Sequence, residues 1–359
     1  MTTPPSSPAA LQLREAGHLP DGRAVHEFTL SRDGLVVRGL TFGAIITAVL
    51  VPDRAGRVAN IVRAFDRLDD YVGKHPYVGA ILGRVANRIA AGRFEVDGRA
   101  CQASLNEGPN TLHGGVCGWD HRLWTIERSD ATLPSVTLSY SSPDGEEGFP
   151  GRVDVRTTFT LLAGGQWCVD VEATTDQPTP LNVSRHEYFN LAGGGTVLGH
   201  RLMIPGSRFH PTDALQIPTG TESVEGTPFD LRSPQTLGER IDDPHPQMVA
   251  AVGGYDQHWI LDEPVTASTP RLAAELVDPA SGRRMRILST APGIQFYTGN
   301  KLDGSLRSNG GEPMARYSAV CLEPQASPDS VHHADWPDTV LRPGQVLRIR
   351  TIHAFDVVD

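Results

Sequence analysis

Short segments far apart in this 359-residue chain carry side chains suited to work on hydroxyl groups. Gly83 to Phe94 read GRVANRIAAGRF and hold Asn87 and Arg88, while Leu112 to Gly115 read LHGG and hold His113. His186 lies in SRHEYFNLAGGG, Asp256 in GGYDQHW, Gln295 in PGIQFYTGN and Glu323 in CLEPQASPD. The two amides both donate and accept, the guanidinium offers a fixed fork of donors, and the aspartate accepts. An imidazole with a reference pKa of about 6.5 and a carboxylate near 4.3 can exchange protons around neutral pH. The set therefore supplies hydroxyl-binding groups together with one candidate acid and one candidate base.

The local context of each residue adds to this. His186 is followed by Tyr188 and Phe189, aromatic faces of the kind that pack on the apolar faces of sugar rings. His113 precedes Gly114-Gly115, where the missing Cβ atoms let backbone approach a ligand. Glu323 stands two residues beyond Cys321 in an expected strand, so the two share a face, and Gln295 faces opposite to its neighbours Ile294 and Phe296. Taken singly, each residue also fits a structural role, such as a turn histidine bonded to backbone or an arginine on a surface strand.

These residues need short strands to position them. Gly 37 and Pro 28 exceed ordinary usage and predict many turns. Phe94 and Val96 lead into Asp97-Gly98, suited to the positive φ angles of a two-residue hairpin turn, and Cys101 and Ala103 continue beyond it. Val153, Val155, Thr157, Phe159 and Leu161 alternate with more polar neighbours as far as Gly164-Gly165, and Trp167, Val169 and Val171 resume the alternation. Strands are also expected over Leu181 to Arg185, Leu272 to Val277 and Met285 to Leu288, with a closing strand around Leu347 to Thr351. Helix is confined to short turns at Leu68 to Val72 and Thr236 to Ile241, and Thr227 to Pro246 reads as a long surface loop. The expectation is an all-β chain: a flexible leader over residues 1–22, then a single catalytic domain over 23–359.

A net charge of -10 disfavours nucleic acid and anionic membrane surfaces and fits a neutral ligand. The first residues lack a basic start and an apolar stretch of signal-peptide type. The longest apolar run, Leu40 to Val51, is too short to span a bilayer. Cysteines 101, 117, 168 and 321 follow no metal-ligand spacing, so reduced thiols in a cytoplasmic protein are expected. His332-His333 is the only adjacent histidine pair and has no accompanying ligand motif.

In order, and from about Val25 to the end, these segments resemble the aldose 1-epimerase (galactose mutarotase) family. The resemblance implies a large antiparallel β-sandwich and an enzyme that interconverts α and β anomers of free aldoses such as glucose and galactose, without cofactor or metal. It implies Glu323 as general base and His186 as general acid. Asn87, Arg88, His113, Asp256 and Gln295 are implied to bind substrate, with His113 also stabilising charge at the ring oxygen. The chain departs from the family pattern at Arg185, where asparagine is usual, at Gln257, where histidine is usual, and at Pro324, where threonine is usual. In an extended segment Arg185 points away from His186; if it reached the pocket, anionic sugars would be preferred. A glycoside hydrolase using Asp256 and Glu323 and a non-catalytic sugar sensor are the competing readings, and a monomer or weak homodimer is expected.

Overall fold

Turn chemistry decides where the alternating segments fold back. Val96 pairs with Arg99 across Asp97 and Gly98, whose φ angles of 49° and 81° are both in the left-handed region that the turn type requires. The computed structural model of the chain describes residues 9–264 and 268–358. The second expected hairpin joins Val153–Leu162 to Gln166–Thr175. Val153, Val155, Thr157, Phe159 and Leu161 are all buried along it, as a period of two dictates.

This hairpin belongs to a nine-stranded antiparallel sheet. Its centre is Leu347–Val357, which pairs with Gln166–Thr175 on one side and Arg283–Ser289 on the other. A five-stranded meander runs from Ala10–His18 to Val58–Asn60. Phe28 of the meander stacks on Phe159 of the larger sheet with ring centroids 5.2 Å apart, so the two sheets share one apolar core. The result is the antiparallel sandwich expected from the sequence.

The leader expectation is corrected over part of its length. Ala10–His18 pairs with Ala24–Arg32 as an edge strand, and Arg14 grips Glu27 through bonds of 2.7 and 3.0 Å. Its side chains are mostly exposed, with Leu11 partly buried against the core, so the backbone ladder holds most of it, and only Leu11 and Leu13 alternate in its sequence. Residues 1–8 lie outside the described residues.

A second five-stranded sheet positions the polar residues. Its order is Glu222–Ser223, Arg208–His210, Asp256–Ile260, Gly293–Tyr297, Cys321–Gln325. Gln295 lies opposite both His258 and Glu323 in the ladder, and Asp256 lies opposite Tyr297. Residues directly opposite share a face, so Asp256, Gln295 and Glu323 line one side of three adjacent strands. Trp259, Ile294, Phe296 and Leu322 line the other and are buried, each stabilising the fold by roughly 1.5–3 kcal/mol. A slip of one residue would exchange the faces, so apolar packing fixes the register on which the polar row depends.

The helical turns appear at Leu68–Val72 and Leu237–Arg240. The expected loop Thr227 to Pro246 instead contributes a short strand, Gln235–Thr236, to the large sheet and leads into the helix Pro246–Ala250. The strand expected over Leu181 to Arg185 shortens to Ser184–Arg185, paired with Ile81–Leu82, and the backbone before it pairs elsewhere, Leu181 with Thr339 and Asn182 with Arg84 and Ala86. None of the four cysteines is disulfide-bonded, and no helix among the described residues is long and apolar enough to cross a membrane.

Candidate active site

His186 and Glu323 meet although 137 positions separate them in the numbering, 323 minus 186. His186 Nε2 lies 3.7 Å from Glu323 Oε1, and Cys321 Sγ lies 3.4 Å from the other ring nitrogen, Nδ1. All three residues are buried, and Glu323 Oε2 has no hydrogen-bond partner among the described residues. Burial first, then the nearby carboxylates of Asp256 and Glu187, push the Glu323 carboxyl well above the usual carboxylate range, with Arg88 pulling it back. Burial likewise lowers His186 to about 4. Burial thus biases each partner toward its neutral form. The arrangement with Glu323 ionised and His186 as imidazolium has the same proton count as the neutral one.

His186, Cys321 and Glu323 offer nitrogen, sulfur and oxygen atoms within 4.8 Å of one another, the makings of a metal-ligand set. The two partners approach opposite nitrogens of the imidazole, however, and a ring nitrogen binds an ion along its own lone pair. That geometry suits a clamped imidazole better than a shared ion.

His113 stands beside His186 with ring centroids 5.5 Å apart. The Asn87 backbone N–H donates to His113 Nδ1 at 3.0 Å, and the His113 backbone N–H returns a bond to the Asn87 carbonyl at 2.9 Å. Burial, aided by His186 and Arg88, pushes the His113 imidazole well below its ordinary range. It is therefore neutral, with Nδ1 accepting and Nε2–H left as a donor. The backbones of the two segments are in close contact: a Cβ on Gly114 would fall 2.0 Å from the Gly83 carbonyl oxygen. Asn106 fixes the LHGG turn by accepting from Leu112 N–H at 2.7 Å and donating to the Leu112 and Gly115 carbonyls.

The adjoining wall is a hydrogen-bonded lattice. Arg88 donates to both oxygens of Glu107 at 2.5 and 2.6 Å and to Gln216 Oε1 at 2.9 Å. Gln216 Nε2 donates to Asp256 Oδ2 at 2.8 Å, and Gln295 Nε2 donates to Asp256 Oδ1 at 2.9 Å. Lys301 also bonds Gln216, and its ammonium lies 3.8 Å from Asp256 Oδ2 with the side chain half exposed. The side-chain carbonyl oxygen of Asn87 accepts from Arg88 N–H at 2.9 Å, which orients the amide.

All seven residues singled out in the sequence thus occur here, in two groups: Glu323, His186 and His113 on the floor, and Asn87, Arg88, Asp256 and Gln295 along the wall. Sequence reasoning missed Tyr77, whose ring contacts His113 at 4.5 Å and His186 at 6.0 Å between centroids. It also missed Glu107, Gln216 and Lys301, which the tertiary structure brings to Arg88 and Asp256. The departures from the family pattern turn their side chains away from these groups, although Gln257 Oε1 accepts from the Asp256 N–H at 2.8 Å. Arg185 turns to the interior, bonding Glu187 at 2.6 Å and the Ala44 and Gly79 carbonyls, with its guanidinium 4.9 Å from the centre of the Phe159 ring. Gln257 holds the Gln247 carbonyl. The Pro324 carbonyl accepts from Ser184 at 3.0 Å.

The family profile of aldose 1-epimerase matches residues 26–354. The chain belongs to the aldose 1-epimerase family. Rat galactose mutarotase is 42% identical over 345 residues, 95% of this chain and 97% of the relative. The Escherichia coli K12 aldose 1-epimerase is 34% identical over 343 residues, 94% and 96% of the two chains. Among solved structures, galactose 1-epimerase from Lactobacillus acidophilus superposes with a TM-score of 0.85 at 25% identity, covering 98% of this chain and 100% of the other. As an aldose 1-epimerase family member, the chain is a carbohydrate isomerase that interconverts aldose anomers.

Proposed function

We propose that the chain acts on neutral aldoses of the glucose and galactose type, with Glu323 as general base and His186 as general acid. The observation that carries this reading is the buried His186–Glu323 pair at 3.7 Å, with Glu323 Oε2 unpartnered among the described residues beside a neutral His113. In the ion-pair arrangement Glu323 takes the proton of the anomeric hydroxyl while His186 protonates the ring oxygen. The bond from the first carbon to the ring oxygen breaks and leaves the open-chain aldehyde. Rotation about the first carbon-carbon bond presents the other face of the carbonyl. On reclosure the attacking hydroxyl returns its proton to His186, and the carboxylic acid of Glu323 reprotonates the former carbonyl oxygen, so both groups are regenerated. Each positioned acid or base contributes roughly 10²- to 10⁴-fold, ample for a reaction that already proceeds in water.

Charge balance in the wall supports a neutral substrate. Arg88 and Lys301 face the carboxylates of Glu107 and Asp256, and Arg185 is committed to Glu187 in the interior. Asn87, Arg88, Asp256 and Gln295 then hold hydroxyls around the ring, and His113 Nε2–H supports charge on the reacting oxygens. The site is assembled from one chain, in keeping with a monomer or weak homodimer, and unpaired cysteines fit a cytoplasmic location.

Polarimetry of freshly dissolved α-D-glucose and α-D-galactose tests the reading. Wild type accelerates mutarotation, and Glu323→Gln and His186→Asn lose the acceleration while still binding sugar. Release of reducing sugar from a glycoside would move the protein to the hydrolases, and binding without acceleration by wild type would make it a sensor.

A further inference from the structure

The imidazole of His186 has a neighbour at each nitrogen. Glu323 Oε1 faces Nε2 at 3.7 Å, and the Cys321 thiol faces Nδ1 at 3.4 Å. Cys321 and Glu323 are two residues apart on one strand and share its face, so a single rigid element presents the thiol and the carboxylate to the same ring. Cys321 is wholly buried among Tyr188, Tyr297, Leu302, Met314 and Ala319, which fix its position from the apolar side. The Tyr188 hydroxyl spends its hydrogen on the Pro76 carbonyl at 3.0 Å.

We infer that Cys321 is a positioning residue for the epimerase reaction: its sulfur accepts from His186 Nδ1–H and thereby keeps proton exchange on Nε2, the nitrogen that faces Glu323. This rests on the acid role given to His186 above. A neutral imidazole carries one proton on one of two nitrogens, and the hydrogen bond at one nitrogen decides which. A thiol has one weak donor and acceptor lone pairs. While the imidazole is neutral, its one proton sits on Nδ1 and is donated to the sulfur, and the bare Nε2 faces the reaction centre. When the ring becomes imidazolium, the added proton sits on Nε2 and Nδ1–H keeps the same sulfur lone pair. The contact thus persists through both protonation states, so the ring need not turn as the proton comes and goes. Burial of Cys321 among apolar side chains keeps the thiol protonated, so the sulfur is a neutral acceptor throughout.

The test uses the full-length protein labelled with ¹⁵N at histidine, with Cys321→Ala, Cys321→Ser and His186→Asn to assign the signal. At neutral pH wild type shows His186 as the Nδ1–H tautomer. Cys321→Ala shows a mixture of tautomers, lowers kcat about tenfold with KM unchanged, and keeps a folded spectrum. Cys321→Ser, whose hydroxyl can both donate and accept, restores the tautomer and most of kcat. An Nδ1–H population in Cys321→Ala equal to that of wild type overturns the inference, as does a loss of kcat in both variants that tracks a lower Tm. Because the tautomer is read without substrate, a failure of the epimerase reading itself, with no mutarotation by wild type, is distinguishable from a failure of this one.

Discussion

Glu107 and Glu323 are glutamates of one pocket with opposite treatment. Both oxygens of Glu107 are held by Arg88 at 2.5 and 2.6 Å, whereas Glu323 is buried with Oε2 lacking a partner among the described residues. The difference extends to the regions around them. In the wall, Arg88, Gln216, Asp256 and Gln295 are tied to one another by hydrogen bonds, with a half-exposed edge at Lys301. In the floor, His113, His186 and Glu323 are buried, and the carboxylate keeps an oxygen without a partner among the described residues. Mutual bonding fixes positions for hydroxyl recognition, while under-satisfaction raises the energy of the ionised carboxylate, and proton transfer draws on that.

The comparison breaks most visibly at the floor. Glu323→Gln preserves shape and burial but removes the base, and kcat in polarimetry should fall by about 10³-fold or more, with sugar affinity by calorimetry within a few-fold of wild type. At the wall, Arg88→Met strips Glu107 of its partner and Gln216 of a donor. A charged hydrogen-bond set of this kind contributes about 1.5–3 kcal/mol, so kcat/KM should drop roughly 10- to 100-fold, mainly through KM, with a lowered Tm. An equal loss of kcat would show that wall and floor are one unit.

Acid titration sharpens the contrast by separating catalysis from stability. His186 is lowered to about 4, so kcat/KM per folded molecule should stay level from pH 7 to 5. It should decline about tenfold per unit below pH 4 as the pair takes an added proton. The groups around the pair, Asp256, Glu187, Arg88, His75 and His113, act on this limb through their fields. Stability behaves differently. His75, His186 and His200 are each lowered to about 4 by burial, so the unfolded chain binds more protons as soon as the pH falls through about 6.5. Calorimetry should therefore show Tm falling between pH 7 and 5, where turnover is still level. The smallest expected effect is that of Gln216→Leu, which loosens Asp256 and Lys301 at the exposed edge and should raise KM a few-fold, on the order of one neutral hydrogen bond, with kcat unchanged.

Legibility in the sequence follows the same division. The hairpin at Asp97-Gly98 and the long one from Val153 to Thr175 are readable because turn chemistry and period-two burial are local. Glu323 and Gln295 are readable because each sits in an expected strand with apolar neighbours, and Asp256 draws notice through the glycines and aromatics beside it. His186 and His113 draw notice through their aromatic and glycine neighbours. Glu107, Gln216, Lys301 and Tyr77 carry no local mark; they acquire meaning only when distant loops close on Arg88, Asp256 and the histidines. The edge strand Ala10–His18 reads as part of a leader because a mostly exposed strand held by its backbone has little apolar face to show, and its proline- and serine-rich approach suggests disorder.

The strand Leu347–Val357 lies between Gln166–Thr175 and Arg283–Ser289, yet it is synthesised after every other described strand. Until it is made, those two neighbours expose unpaired edges facing a gap in the middle of the large sheet, the kind of template that recruits foreign strands. The sheet cannot close from its first strands outward as the chain emerges. A chain cut before Leu347 should therefore leave the large sheet as two halves with open edges, prone to aggregate rather than merely slower as an enzyme.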